Sequence, residues 1–259
     1  MGGVRQILNI WVRSALVVWV GVGVFAFVVW PDEASIDEKL AGVEEIARSR
    51  ELARQGYLRH KGGRLDRAVE LYTEAIELRP DSTRALYLRG SARLSKNDLE
   101  GALADFETAV LQRPSLTVAI NSLGVTRHRM GDVAGAVGDF QRSLEVDADF
   151  GVPRVNLGHI ARAQGDFEEA MRQFTLGVET SPRSPWAWDS RGALRFALGD
   201  ARGALSDFNK AVEFSGRRYS SAFRNRAAIR KAGGDVAGAA EDMAQFQQIE
   251  RIIQGKAAG

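Results

Sequence analysis

Apolar residues are distributed unevenly along the chain, and the two parts of this pattern predict different structures. Residues 14–30 contain no charged side chain, whereas residues 49–253 alternate apolar and polar positions with the spacing of amphipathic helices. About 20 apolar residues suffice for a helix to cross a hydrocarbon core of roughly 30 Å. Trp11 and Trp30 would then lie at opposite membrane interfaces, and Pro31 would end the helix. The pattern predicts one transmembrane helix, which contacts the lipid bilayer through residues 10–30.

The charges that flank this apolar segment predict its orientation. Arg5 and Arg13 precede it, whereas residues 31–45 contain Lys39 as their single cation among several acids. The positive-inside rule favours a cytoplasmic N-terminus and, in a bacterium, a single-pass inner-membrane protein with a periplasmic C-terminal domain. An alternative is that the segment is a cleaved secretion signal, which would leave a secreted or periplasmic protein.

Three residue types recur at intervals of 34 residues over most of the chain, and this period predicts a repeat protein. The series are glycines (Gly56, Gly90, Gly124, Gly158, Gly192), alanines (Ala68, Ala102, Ala136, Ala170, Ala204) and aromatic residues (Tyr72, Phe106, Phe140, Phe174, Phe208). A sixth copy, shifted by one inserted residue, places Ala227, Ala239 and Met243 at these positions. The small residues are predicted to let two helices approach closely, and the aromatic ring to fill the space between that pair of helices and the next.

Each repeat is predicted to be a pair of helices. Glycine just after a helix and aspartate at the start of the next form a stop-and-start signal. This signal is present at Gly131-Asp132, Gly165-Asp166, Gly199-Asp200 and Gly234-Asp235, with Asn97-Asp98 as a variant.

A 34-residue unit with glycine at position 8, glycine at 15, alanine at 20, an aromatic at 24, a small residue at 27 and proline at 32 resembles the tetratricopeptide repeat. The resemblance implies an all-α fold, in which six helix-turn-helix repeats stack into a right-handed superhelical solenoid after the transmembrane helix. It also implies a concave groove, lined by the first helix of each repeat, that binds a partner peptide or helix.

These observations divide the chain into four predicted parts. Residues 1–31 form a cytoplasmic tip and the transmembrane helix, residues 32–48 an extra helix or an extension of the first repeat helix, and residues 254–259 a tail. The six repeats between them are residues 49–82, 83–116, 117–150, 151–184, 185–218 and 220–253. The irregular last repeat, with Ala227 and Arg251 at positions of glycine and proline, predicts a polar terminal cap.

The family's geometry implies that positions 2, 5, 6, 9, 12 and 13 of each repeat face the groove. Eight of the resulting residues are arginine or lysine, so a basic groove for an acidic, extended or helical protein segment is predicted. The predicted groove residues are Arg50, Arg54, Tyr57, His60, Lys61, Arg84, Tyr87, Asn121, His128, Arg129, Asn156, His159, Arg162, Trp186, Asp189, Arg224, Asn225 and Lys231.

The chain departs from the family at position 11 of the repeat, which usually holds an aromatic residue. Here the position holds Arg59, Arg93, Arg127, Arg195 and Arg230, with Ala161 as the exception. The arginine stems are predicted to pack between helices.

Little in the sequence indicates catalysis, a cofactor or a metal. The chain has no cysteine, a net charge of +2 that gives no support for nucleic-acid binding, and no nucleophile elbow or phosphate loop. His128 and His159 lie in adjacent repeats, but no carboxylate is predicted beside them. The sequence therefore predicts a non-enzymatic scaffold or assembly factor of unknown oligomeric state. Two alternatives are a chaperone-like holding factor for exported proteins and a regulator of a catalytic partner.

Overall fold

The computed structural model describes residues 33–216 and 219–257, which form twelve α-helices joined by short turns. Contacts divide the chain into two compact units, residues 1–41 and residues 42–259. The helix hairpins lie in the second unit, apart from the first residues of α1. The helices are α1 (Glu33–Lys61), α2 (Leu65–Leu78), α3 (Thr83–Ser95), α4 (Leu99–Gln112), α5 (Thr117–Arg129), α6 (Val133–Val146), α7 (Val152–Ala163), α8 (Phe167–Thr180), α9 (Pro185–Ala197), α10 (Ala201–Phe214), α11 (Ser220–Ala232) and α12 (Val236–Ala257).

Each odd-numbered helix, called a first helix here, forms a hairpin with the even-numbered second helix that follows it. In the hairpin of α5 and α6, Gly131 has a φ of +89°, a conformation that favours glycine or asparagine. The Asp132 carboxylate then accepts a hydrogen bond from the Gly135 N–H at 2.8 Å. The same arrangement recurs at Asn97-Asp98, Gly165-Asp166, Gly199-Asp200 and Gly234-Asp235. The predicted stop-and-start signals are therefore confirmed.

The repeated glycine and the repeated aromatic residue meet inside each hairpin. A Cβ atom added at Gly124 would lie 2.8 Å from Cε1 of Phe140, which is closer than carbon atoms pack. Phe140 is 1% exposed and packs with Ala136 and Ile160 of the next repeat. Equivalent contacts join Gly56 to Tyr72, Gly90 to Phe106, Gly158 to Phe174 and Gly192 to Phe208. The 34-residue period is thus the period of the core.

The order of helix contacts determines which side of the array is the inner one. From α3 to α11, each first helix contacts the first helix of the next repeat, whereas no two second helices contact each other in the described part of the chain. Each second helix does contact the first helix that follows it. The first helices are therefore closer together, and they line the inner side of the stacked array.

The predicted fold class needs a correction where it includes a transmembrane helix. No helix within residues 33–216 and 219–257 is long and apolar enough to cross a membrane. The longest of them, α1 with 29 residues and α12 with 22, carry charged side chains along their lengths. The fold observed is an all-α solenoid of helix pairs, and the predicted span at residues 10–30 lies outside the described residues.

The segment before the first repeat forms the N-terminal part of α1. α1 is continuous from Glu33 to Lys61, so residues 33–48 and the first helix of the first repeat belong to one helix.

Candidate functional site

Hydrogen bonds between successive first helices show that several predicted groove residues share one face. The Asn156 side-chain amide of α7 donates to the Asn121 side-chain oxygen of α5 at 3.0 Å. Two repeats later, the Asn225 amide of α11 donates to the Asp189 carboxylate of α9 at 2.8 Å. Because both bonds join positions 5 and 6 of neighbouring repeats, these positions lie together on the inner side.

A ring cluster lies in the middle of this inner face. The His159 ring stacks on Trp186 with 5.6 Å between ring centroids, and it meets the edge of Phe174 at 5.0 Å. Its Nε2 lies 3.0 Å from the Ser190 hydroxyl oxygen. Burial, with smaller contributions from the charges of Arg162 and His128, lowers the pKa of His159 to about 4. The imidazole is therefore neutral at pH 7 and offers a partner an aromatic surface.

Asp189, the one acid among the predicted groove residues, is 6% exposed. Its carboxylate accepts hydrogen bonds from the Tyr219 hydroxyl at 3.0 Å, the Ser221 hydroxyl at 3.3 Å and the Asn225 amide. Burial raises the pKa of Asp189, against the lowering effect of these donors. Asp189 therefore connects α9 to α11. Asp189 and Asn121 are predicted to face the groove, but both side chains are buried, and Asn121 is 8% exposed.

The remaining predicted groove residues are at least partly accessible. Half-buried residues are His60, Tyr87, Asn156, His159, Trp186 and Asn225. Exposed residues are Arg50, Arg54, Tyr57, Lys61, Arg84, His128, Arg129, Arg162, Arg224 and Lys231.

The exposed cations differ in whether another side chain or the backbone of the protein binds their charged end. Arg54 forms an ion pair with Glu51 at 2.8 Å, and Arg129 donates to the Leu94 carbonyl and the Asn97 side chain of the preceding repeat. Six others form no ion pair with any residue in the described ranges: Arg50, Lys61, Arg84, Arg162, Arg224 and Lys231. The inner face thus carries uncompensated positive charge at intervals from the first repeat to the last.

A cavity of about 610 Å³ lies at the N-terminal end of this row, between α1 and the turn that precedes α3. Arg50, Arg54, Arg79 and Arg84 line it. Arg79 forms an ion pair with Asp81 at 2.7 Å, whereas Arg50 and Arg84 form no ion pair with a described residue. Four arginine side chains therefore surround this one cavity.

Four of the five position-11 arginines do not belong to this face, because they bind a buried aspartate that sequence analysis missed. The fifth, Arg59, is exposed, and its repeat has Leu71 in place of the aspartate. Asp105 of α4 binds Arg89 at 2.7 Å and Arg93 at 2.9 Å, both from α3. The same arrangement joins Asp207 to Arg191 and Arg195, and Asp242 to Arg226 and Arg230. The stems of these four arginines lie between helices, as predicted, and their charged ends are neutralised inside the repeat. The exposed Arg59 does not follow the prediction.

A signal for these aspartates is present in the sequence. Asp105, Asp139, Asp207 and Asp242 all occupy position 23 of their repeats, so the acid recurs in the same register as the arginines. A pairwise search for position-11 and position-23 charges would have found it.

No three histidine, cysteine, aspartate or glutamate side chains within residues 33–216 and 219–257 are grouped closely enough to hold a metal ion.

Comparisons with known proteins agree with this repeat architecture. Residues 31–116 and 154–184 match sequence models of the tetratricopeptide repeat. No curated protein matches the chain in sequence. A tetratricopeptide repeat protein from Parabacteroides merdae has a similar structure, with a TM-score of 0.64, 22% identity and coverage of 87% of this chain and 88% of that one.

Two further solved structures are similar over much of their length. PilF of Pseudomonas aeruginosa has a TM-score of 0.63 and 13% identity, with 80% of this chain and 93% of that chain covered. A thermophilic repeat protein of Thermus thermophilus has a TM-score of 0.61 and 19% identity, with 70% and 98% covered. At these identities, the likeness establishes the fold and leaves the partner to be inferred from the residues of this chain.

Proposed function

Because this chain belongs to the tetratricopeptide-repeat family, whose members are generally non-enzymatic protein-interaction modules, we propose that it is a scaffold or assembly factor. Its inner face holds a segment of a client protein, and the client supplies acidic side chains. The observation that carries this proposal is the row of six cations without an ion pair along the first helices, from Arg50 to Lys231.

The spacing of the cations favours an extended or helical segment over a single small anion. They are contributed by four of the six first helices, so one compact ligand contacts only a part of the row. Attraction between exposed charges acts over a screening length of about 10 Å at 0.1 M salt. A segment with acids distributed along its length therefore gains from every repeat that it crosses.

Rings and amides between the cations provide the second part of this recognition. Tyr57, Tyr87 and Trp186 are accessible on first helices, and aromatic residues contribute strongly at protein interfaces. Asn156 and Asn225 are half-buried and are already bonded across repeats, which holds their side chains in place. Apolar side chains of the client between its acids would pack on the rings.

The proposal is tested with the full-length protein and a fluorescein-labelled peptide that alternates glutamate with leucine. We expect fluorescence anisotropy to report saturable binding that weakens as salt rises, and a matched lysine–leucine peptide to bind at least tenfold more weakly. The triple variant Arg84→Glu, Arg162→Glu, Arg224→Glu should lose binding while its circular dichroism spectrum is unchanged.

The matched control reverses three exposed arginines outside the first helices: Arg113, Arg183 and Arg202. This control has the same change in net charge and should still bind the glutamate–leucine peptide more tightly than the groove variant does. Equal losses in both triple variants would mean that net charge, and not the inner face, attracts the peptide. Equal binding of any unfolded chain regardless of its charge would instead favour the chaperone-like alternative.

The cellular location is a separate proposal that rests on the sequence alone. The charges flanking residues 10–30 favour the inner membrane, with the C-terminal domain in the periplasm. A reporter fused after Gly259 should be active in the compartment where exported proteins fold. Activity in the cytoplasm would contradict this location without affecting the groove.

A further inference from the structure

Asp139 of the third repeat lacks a partner that the corresponding aspartates of three other repeats have. Asp105, Asp207 and Asp242 each bind two arginines from the preceding first helix. In α5, the position of the first of these arginines is occupied by Leu123. Asp139 is 5% exposed and binds one guanidinium, that of Arg127 at 2.8 Å. Burial raises the pKa of Asp139, although Arg127 lowers it.

A cavity of about 310 Å³ lies beside Leu123, and its walls match the surroundings of an arginine in the second repeat. There, Arg89 binds Asp105 and also donates to the Thr73 hydroxyl of the preceding second helix at 3.1 Å. The residues that correspond to Asp105 and Thr73 are Asp139 and Glu107, and both line the cavity. The third repeat therefore keeps the aspartate but lacks the first arginine, and Glu107 of the preceding second helix stands in place of a threonine. Glu107 is already ion-paired with Arg127 at 3.1 Å.

The fourth repeat shows what happens when all three charges are lost together. Leu157, Ala161 and Gln173 occupy the positions of the two arginines and the aspartate. This repeat retains no acid that needs a second cation. Among the repeats with an aspartate at position 23, the third alone has leucine in place of the first arginine.

An exposed apolar side chain at the rim distinguishes the cavity further. Leu111 of α4 lines it and is 82% exposed. The same position of the other five repeats holds Glu77, Glu145, Glu179, Glu213 and Gln248. An apolar residue thus replaces a polar one in the repeat that adjoins the unfilled arginine position.

We propose that this cavity binds an arginine side chain of a partner protein, and that an apolar residue next to this arginine packs on Leu111. The guanidinium would bind Asp139 and Glu107 with the geometry that Arg89 shows one repeat earlier, and such bidentate geometry favours arginine over lysine. Second helices α4 and α6 supply most of the cavity wall. The surface is therefore separate from the inner-face cations and can be occupied at the same time.

Two cationic side chains of the protein itself line the cavity, and one of them, Arg127, binds both Asp139 at 2.8 Å and Glu107 at 3.1 Å. Arg142 lines the cavity and lies one helical turn after Asp139, but it is exposed and forms no ion pair with another described residue. Arg127 binds the Oδ2 atom of Asp139, so the Oδ1 atom remains for an arginine that enters through the cavity. Removal of Arg142 should therefore leave the proposed binding in place or strengthen it.

The first test uses the full-length protein with labelled leucine methyl groups and the probe N-acetyl-leucyl-arginine amide. The control probe contains citrulline, which has the shape of arginine without its charge. We expect the methyl signals of Leu111 and Leu123 to shift saturably, with a dissociation constant of about 1 mM for a ligand of this size. The citrulline probe should bind at least tenfold more weakly. Equal binding of the two probes, or no saturable shift, would overturn the proposal.

The second test fills the cavity with an arginine side chain of the protein itself. Leu123→Arg restores the second arginine, so it should raise Tm and weaken the arginine probe more than tenfold. The matched control is Leu157→Arg, which faces Gln173 and should not raise Tm. If Leu123→Arg does not fold, Asp139→Asn serves in its place and should remove the preference for arginine over citrulline. A folded Leu123→Arg protein that binds the probe unchanged contradicts the proposal.

Discussion

An inner repeat and the C-terminal repeat have the same helix hairpin but different surroundings. In the inner repeat, Phe140 is 1% exposed because the next first helix covers it. In the last repeat, the equivalent Met243 lines an open cavity of about 450 Å³, and four of its eight lining residues are alanine. Arg224 and Lys231 stand among its lining residues. The comparison indicates how much of a repeat's core belongs to the hairpin and how much to its neighbour.

The N-terminal repeat also lacks a neighbouring repeat on one side, but the side chains on that side are polar. On α1, the positions that face a preceding repeat hold Glu51, Arg54 and Gln55, which bond to each other. The equivalents of Glu51 in the second and third repeats are the fully buried Ala85 and Ala119. One end of the array is therefore polar, whereas the other exposes Val236 at 66%. At the C-terminal end, α12 exposes the polar Glu241 and Gln245 as well as Val236, and the predicted polar cap stays a prediction.

The largest effect expected from this comparison is on the free energy of unfolding. Phe140→Ala removes a buried ring from an interface covered on both sides, and should cost roughly 3–5 kcal/mol. Met243→Ala removes a half-buried side chain at an open end and should cost about 1 kcal/mol. Urea denaturation of both variants measures the difference. Equal losses would mean that the neighbouring repeat contributes little to the core.

A second difference between an inner repeat and the last repeat is the pH dependence of the free energy of unfolding. His159 packs between rings, whereas the equivalent residue of the last repeat is the exposed Ala228. Because the pKa of His159 is lowered to about 4 from 6.5, the unfolded chain binds a proton before the folded protein does. Stability from this residue is complete above pH 6.5 and declines as the pH falls towards 4. After allowance for partial exposure, the loss should be about 2 kcal/mol.

The pH effect is isolated by a variant that keeps the ring. His159→Phe preserves the stacking surface and removes the titration, so its stability should fall less than that of the unmodified protein between pH 7.5 and 4.5. Denaturation at the two pH values gives the comparison. An identical pH dependence of the two proteins would assign the loss to other groups.

The repeat positions that could be predicted from the sequence are those where shape alone selects the residue. Gly124 and Phe140 recur because a ring fills the space that a side chain would occupy, and Gly131 recurs because the turn needs its conformation. The role of Asp105 was missed, because an acid on a helix has the same local pattern whether it is exposed or paired between helices. Burial of Asp189 depends on how closely first helices approach, which a single repeat does not encode.

The smallest effect compares two valines in matched surroundings. Val133 and Val236 each begin a second helix, and each follows a capping aspartate, Asp132 or Asp235. Val133 packs against the cluster of Phe140, whereas Val236 is 66% exposed beside the open cavity. Serine and valine differ little in helix propensity, so replacement by serine mainly removes apolar contact.

Val133→Ser should therefore cost about 1 kcal/mol, since part of its apolar surface is lost from the core. Val236→Ser should change stability by less than about 0.5 kcal/mol, as expected for an exposed position. The midpoints of urea denaturation at constant m-value measure both changes. A loss at Val236 as large as that at Val133 would show that the C-terminal surface is covered in solution, and the cavity between α11 and α12 would then be an occupied interface rather than an open end.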